Sequence, residues 1–186
     1  EKKIEVIPLG FDLERFNTDK DSKRKEFRKK WNLKENEIAI GIIGRLVPIK
    51  NHKFFIDAIQ EVLKNSKVPI RAFIVGDGEE KHNIINYIKN KNLDFSLNYN
   101  PATFHLTSWI KEIDRVNSGM DIICLTSLNE GTPVSLIEAQ ASGKPIVSTK
   151  TGGIENIVLE NKTALLSEKN DLHNFSKNLL SLVNDS

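Results

Sequence analysis

The chain has 186 residues, 39% of them hydrophobic and 28% charged, which suits one domain of ordinary size with a packed core and excludes wholesale disorder. Lys and Arg number 27 against 25 Asp and Glu, and the formal net charge of +2 is too near balance for a nucleic-acid binder read from bulk charge. A single cysteine, Cys124, excludes an internal disulfide and a cysteine-held zinc, and suits a reducing compartment.

In chain order, the first residues, Glu1-Lys2-Lys3-Ile4, begin abruptly, as if in the middle of a strand, so the chain is expected to be a piece of something larger. They do not read as a signal peptide, and no apolar run reaches the ~18–20 residues of a membrane span. Residues 19–31 predict a basic helix with Phe27 and Trp31 on one side. Its segment 20–30 reads as a solvated face rather than a contact with an anionic membrane. Residues 38–44 are a continuous apolar run ending in Gly, as a strand covered on both faces would be. Asn51 reads as the N-cap of a helix whose Phe55, Ile59 and Val62 recur at helical spacing. Residues 70–75 predict the next strand, closed by Gly76-Asp77-Gly78, and a helix follows with Ile84, Ile85 and Ile88 inward. A strand is placed near 103–107, then a helix around 111–118 that Gly119 stops as a left-handed C-cap. Residues 121–126 predict another buried strand. Pro133 in a first turn behind Thr132 starts a helix, and Gly143 stops it. Residues 145–149 predict a strand, 153–158 a short helix, 163–166 a last strand and 170–183 an amphipathic helix.

Strand and helix alternate at the rhythm of βαβ units, which predicts an α/β fold with a doubly wound, Rossmann-like parallel sheet. Ligands of such sheets sit beyond the carboxyl ends of the strands. Five loops therefore matter: 44–51, 76–80, 107–110, 127–134 and 149–154. The first, Gly44 to Asn51, sets Arg45 and Lys50 between a strand end and a helix start, where a guanidinium, an ammonium and free N–H groups favour a phosphate. Spacing alone leaves open whether these are binding groups or solvated loop charges. The fourth loop carries Glu130, and Glu138 follows about one and a half turns into the next helix. The N–H groups of Val134 and Ser135 have no intrahelical partner, Gly131 admits a close ligand, and Glu138 can accept from paired hydroxyls. Thr151-Gly152-Gly153 is read either as a plain turn or as amides facing the same mouth.

Other chemistry is not supported. Gly76-Asp77-Gly78 begins a dinucleotide fingerprint, but Lys81 stands at the third glycine, so NAD binding is rejected in favour of a tight turn. His52, His82, His105 and His173 lack metal-ligand spacing, and Cys124 reads as a small core hydrophobe. Neither a nucleophile elbow nor a P-loop is present.

Taken together, these residues resemble the C-terminal, donor-binding half of a GT-B glycosyltransferase of the retaining family 4, the glycosyl transferases group 1. Val6-Ile7-Pro8-Leu9-Gly10-Phe11-Asp12 resembles the hinge segment, and Gly44-Arg45-Leu46 with Lys50 the diphosphate loop. Ile74-Val75-Gly76-Asp77-Gly78 resembles the next strand and turn, and Glu130 with Glu138 the paired glutamates of an "EG…E" block. Nearly the whole chain is covered, in the right order.

The resemblance implies that residues 1–186 are a nucleotide-sugar-binding domain whose N-terminal, acceptor-binding partner domain lies outside this chain. Arg45 and Lys50 would neutralise the donor's diphosphate and stabilise its departure, so no metal cofactor is expected. Glu130 would sit near the transferred sugar and Glu138 would hold the ribose hydroxyls. Gly44 and Gly76, with the stretch Gly131, Thr132, Val134 and Ser135, would contact sugar or phosphate. Ser108 and Trp109 match the stretch that frames the base. Thr132-Pro133 replaces the aromatic-Gly of many relatives, Ile49 an acidic residue and Asn51 a glycine, which leaves the sugar open. The isolated piece is expected to bind a nucleoside-diphosphate sugar and to transfer little. The expected setting is cytoplasmic, with the full-length enzyme peripheral on the membrane if its acceptor is lipid-linked. The alternatives are a GT-B sugar-nucleotide epimerase half and a noncatalytic binding module.

Overall fold

The computed structural model describes residues 10–185. Two helices come first, α1 (Glu14–Asn17) and α2 (Lys20–Lys30). Then β1 (Ile38–Ile43), α3 (His52–Asn65), β2 (Ile70–Val75), α4 (Lys81–Asn90), β3 (Phe95–Ser96) and β4 (Phe104–Leu106) follow. The second half holds α5 (Ile113–Gly119), β5 (Ile122–Leu125), α6 (Val134–Ala141), β6 (Ile146–Thr149), β7 (Ala164–Ser167) and α7 (Leu172–Asn184). Short 3-10 turns occupy Pro48–Lys50 and Gly152–Asn156, the latter where a short helix over 153–158 is expected. Of the hinge-like segment 6–12, residues 6–9 lie outside the described residues.

Among the described residues, seven strands pair in parallel in the order β3-β4-β2-β1-β5-β6-β7. The doubly wound expectation is borne out, and the two-residue edge strand β3 is an addition to it. Each central strand is apolar along its length because it is covered on both faces. Ile40 and Ile42 of β1 join Ile74, Cys124 and Val147 against α3 and α7. Ala39 and Ile43 of the same strand join Phe73, Ile123 and Leu125 against α2, α5 and α6. Cys124 is thus core, and burial pushes its thiol far up, leaving it protonated.

Three expectations are corrected. Gly119 is not a left-handed C-cap; it is the last residue of α5, and Met120 caps it in an extended conformation. Its missing side chain serves packing, since a Cβ there would lie 2.2 Å from Phe27 Cδ1 of α2. Pro133 is itself the N-cap of α6 rather than its first residue. The basic face of α2 is not simply solvated. Arg24 Nη2 and Arg28 Nη1 donate to the two oxygens of Asp121 at 2.6 and 3.2 Å, and Arg28 Nη2 donates to the carbonyls of Lys34 and Glu37. Gly143, in contrast, stops α6 as expected with φ +70°.

Candidate functional site

The chain leaves β1 toward β2 on one side, while β5 pairs with β1 on the other. Crossovers on opposite sides open a crevice at the carboxyl ends of β1 and β5, the topological switch point of the sheet. The loops leaving these two strands meet there. Lys50 Nζ donates to Glu130 Oε1 at 2.5 Å, bringing together two residues that are 80 positions apart. Ser127 Oγ donates to the same oxygen at 2.6 Å. Lys50 is therefore neutralised by Glu130 in this structure rather than standing free.

Short polar side chains hold the β5–α6 loop in place. Thr126 Oγ1 donates to the Lys50 carbonyl at 2.9 Å, and Leu128 N to the Ile49 carbonyl at 2.8 Å. From the next strand, Thr149 Oγ1 donates to the Ser127 carbonyl at 2.7 Å, and Thr151 Oγ1 to the Leu128 carbonyl at 2.9 Å. Gly153 N donates to the Glu130 carbonyl at 2.9 Å, so this amide buttresses the loop instead of facing a ligand. Only glycine fits there: a Cβ on Gly152 or Gly153 would stand 1.9 Å from the carbonyl oxygen of Glu130 or Gly131.

The opposite wall is built the same way. A Cβ on Gly76 would stand 1.9 Å from the Gly44 carbonyl oxygen, and Gly76 N donates to the Ser108 carbonyl at 3.1 Å. Asp77 closes the expected tight turn by accepting from Gly78 N at 2.9 Å. Lys81 Nζ donates to Asp77 Oδ2 at 2.9 Å and to Ser108 Oγ at 2.6 Å. The Lys81 bond, then that of Gly78, holds the Asp77 carboxyl below the usual carboxylate range. Ser108 has φ +56°, and Trp109 beside it is 59% exposed.

Arg45 is exposed, and its side chain makes no hydrogen bond or ion pair among the described residues, while its carbonyl accepts from Val47 N at 3.0 Å. Gly131 and Thr132 are exposed, and a Cβ on Gly131 would meet nothing within 4 Å. No side chain caps the N-terminus of α6, so the first N–H groups of Val134 and Ser135 lack an intrahelical partner as expected. Glu138 does not join the Lys50–Glu130 pair. It lies opposite α1, with Arg15 Nη2 at 3.9 Å from Oε1. Burial raises its pKa, and the Arg15 charge opposes that rise. No group of three or more His, Cys, Asp or Glu side chains that could hold a metal occurs among the described residues.

The structure thus joins Lys50 to Glu130, sets Arg45 on the same loop as Lys50, and ties Gly44 to Gly76 and Ser108 through backbone packing. Sequence reasoning missed Thr126, Ser127, Thr149 and Arg15, and read Thr151 only as part of a glycine-rich turn. The signal for the hydroxyl residues was present: they stand at or just beyond the ends of the apolar runs of β5 and β6, where side chains leave the core at the ligand edge of the sheet.

The family model for glycosyl transferases group 1 matches residues 23–186. Over 185 residues, 98% of this chain, the sequence is 33% identical to the Escherichia coli UDP-Gal:alpha-D-GlcNAc-diphosphoundecaprenol alpha-1,3-galactosyltransferase and spans 46% of that protein. A crystal structure of Anabaena Alr3699/HepE in complex with UDP and glucose matches 97% of this chain and 46% of its own at a TM-score of 0.78, with 22% identity. The crystal structure of the C-terminal domain of LpcC, a group 1 glycosyl transferase from Francisella tularensis, matches 95% of this chain and 98% of its own at a TM-score of 0.68, with 20% identity. At such identities these two likenesses bear on the fold alone. The chain spans less than half the length of the E. coli relative and of the Anabaena protein.

Proposed function

This chain belongs to the glycosyl transferases group 1 family and has the Rossmann-like fold of a GT-B half, and on that premise we propose that it is the donor-binding domain of a retaining glycosyltransferase. It takes a nucleoside-diphosphate sugar, and an N-terminal domain outside this chain supplies the acceptor site. The observation that carries this reading is the meeting of Lys50 with Glu130 in the crevice between the β1 and β5 loops. It sets a cation and a carboxylate where an α/β sheet binds ligands, with the unpaired Arg45 on the same loop.

The chemistry asks for this arrangement. Breaking a glycosyl–phosphate bond leaves negative charge on the departing diphosphate and positive charge on the sugar ring. Arg45 and Lys50 meet the diphosphate, and the N–H groups opening α6 add the positive end of a helix dipole. These groups supply the charge that a divalent ion would otherwise bring. Lys50 exchanges Glu130 for a phosphate oxygen when the donor enters, which frees the Glu130 carboxylate beside the sugar. Glu138 accepts from the ribose hydroxyls, and Gly44, Gly76, Ser108 and Trp109 frame the rest of the nucleotide.

The E. coli relative is named for UDP-Gal, and the Anabaena structure holds UDP, which makes UDP the first nucleotide to test. The relative's diphosphoundecaprenol acceptor supports a lipid-linked acceptor and a peripheral membrane location for the whole enzyme. Calorimetric titration of the intact chain with UDP, GDP and ADP tests the reading. An Arg45→Ala, Lys50→Ala double variant is expected to lose about 1–3 kcal/mol per charged contact. Unchanged affinity would remove the phosphate assignment. Transfer by the isolated chain is expected to be negligible in a donor-consumption assay, and brisk turnover would show that no second domain is needed.

A further inference from the structure

We propose that Ser127 is a positioning residue that sets the orientation of the Glu130 carboxylate beside the donor's sugar. This rests on the reading of Glu130 as the carboxylate next to that sugar. Ser127 is fully buried, and its hydroxyl donates to Glu130 Oε1 at 2.6 Å. Lys50 Nζ donates to the same oxygen at 2.5 Å. Both bonds fall on Oε1, so Oε2 is left without a hydrogen bond among the described residues and is available to a ligand hydroxyl.

The two donors differ in what they can hold. Lys50 carries its ammonium on a flexible four-carbon stem, and in the proposed site it turns to the diphosphate when donor binds. A serine hydroxyl sits one carbon from the backbone, and the backbone of Ser127 is fixed by the 2.7 Å bond from Thr149 Oγ1 to its carbonyl. Once Lys50 leaves, the Ser127 hydroxyl is the bond that keeps Glu130 from rotating away.

Its role is separable from holding the loop. The neighbouring hydroxyls of Thr126, Thr149 and Thr151 all donate to backbone carbonyls of Lys50, Ser127 and Leu128 and so trace the path of the chain. The Ser127 hydroxyl donates instead to a side-chain carboxylate, three residues ahead, and the loop keeps its other ties without it.

The test is calorimetric titration of the 186-residue chain with UDP, UDP-glucose and UDP-galactose, in wild type, Ser127→Ala and Ser127→Thr. Ser127→Ala is expected to bind UDP within about twofold of wild type and the better-bound sugar nucleotide about tenfold more weakly, the scale of one charge-assisted hydrogen bond. Ser127→Thr keeps the hydroxyl and is expected to restore sugar-nucleotide affinity to within about threefold. If Ser127→Ala does not fold by circular dichroism, Ser127→Cys, of similar size with a weak donor, carries the same expectation. An equal loss for UDP and sugar nucleotide, no loss for either, or a folded Ser127→Thr that does not restore binding would overturn the proposal. A wild-type chain that binds none of the three nucleotides would instead overturn the donor-site reading beneath it.

Discussion

Asp121 ties the end of the molecule away from the crevice together. Its Oδ2 accepts from Ala39 N at 2.8 Å and from Arg28, while Oδ1 accepts from Arg24. Arg28 is 6% exposed, so removing its carboxylate strands a guanidinium charge indoors. Asp121→Ala is expected to cost about 3 kcal/mol in urea unfolding, and a loss below about 1 kcal/mol would mean that Arg28 is satisfied by carbonyls alone. The two buried histidines make a second residue-scale prediction. His105 Nε2 must accept, because its partners at 3.1 and 2.6 Å are Arg71 Nε and Nη2, which can only donate. Burial, then the Arg71 charge, lowers the His105 pKa to about 4; burial, then Lys50, lowers that of His52 to about 4. Both folded values lie below the unfolded value of 6.5, so the unfolded chain takes up protons first. The stability these rings contribute is complete above about pH 6.5 and is lost as pH falls toward 4, by roughly 3 kcal/mol per ring. Urea midpoints measured from pH 7 down to 4.5 should fall, and a His52→Gln, His105→Gln variant should show a shallower drop.

At the scale of elements, the contact of α2 with α5 sets tight limits on Gly119. Helix propensity favours Ala over Gly in a helix by about 1 kcal/mol. Packing opposes this, because the added Cβ would stand 2.2 Å from Phe27 Cδ1, 2.4 Å from Cγ and 2.8 Å from Cβ. The ring cannot swing clear by its tip alone, and Phe27 packs edge-on against Phe73 of the sheet with ring centres 5.6 Å apart. Gly119→Ala is therefore expected to destabilise by about 1–3 kcal/mol, as overpacked cores do. A rise in thermal midpoint would show that propensity outweighs the clash. The same logic applies at the crevice, where Gly152 and Gly153 let the 3-10 turn after β6 press on the loop that carries Glu130.

At the scale of the whole molecule, one sheet with a helical layer on each face places every strand end that matters on one rim. A ligand bound there contacts loops from both halves of the sheet and stabilises the fold by mass action. UDP at a hundredfold its dissociation constant is expected to raise the unfolding free energy by about 2.7 kcal/mol. The Arg45→Ala, Lys50→Ala variant should show no such increment at the same UDP concentration when compared with its own stability without nucleotide, which falls below wild type because Glu130 loses its 2.5 Å ion-pair partner. Thermal unfolding with and without UDP reads both quantities.

The amino-acid order by itself determined the parallel α/β class and most elements, because buried strands must be apolar on both faces: β2 falls on 70–75 as expected, and β1 and β5 lie within one residue of their expected ends. It also offered Arg45, Lys50 and Glu130 as candidates, on their loops at the carboxyl rim of such a sheet and on the family resemblance, while spacing alone left solvated loop charges equally open. It could not reveal β3, whose two residues are too short for any period to register. Nor could it show that Lys50 and Ser127 share one oxygen of Glu130, that Glu138 faces Arg15, or that Arg24 and Arg28 turn inward to Asp121. Those pairings were decided by tertiary structure. Local pattern sets what a segment becomes, but which loops touch depends on the strand order that places β5 beside β1, and that order is reached only through contacts between residues far apart in the chain.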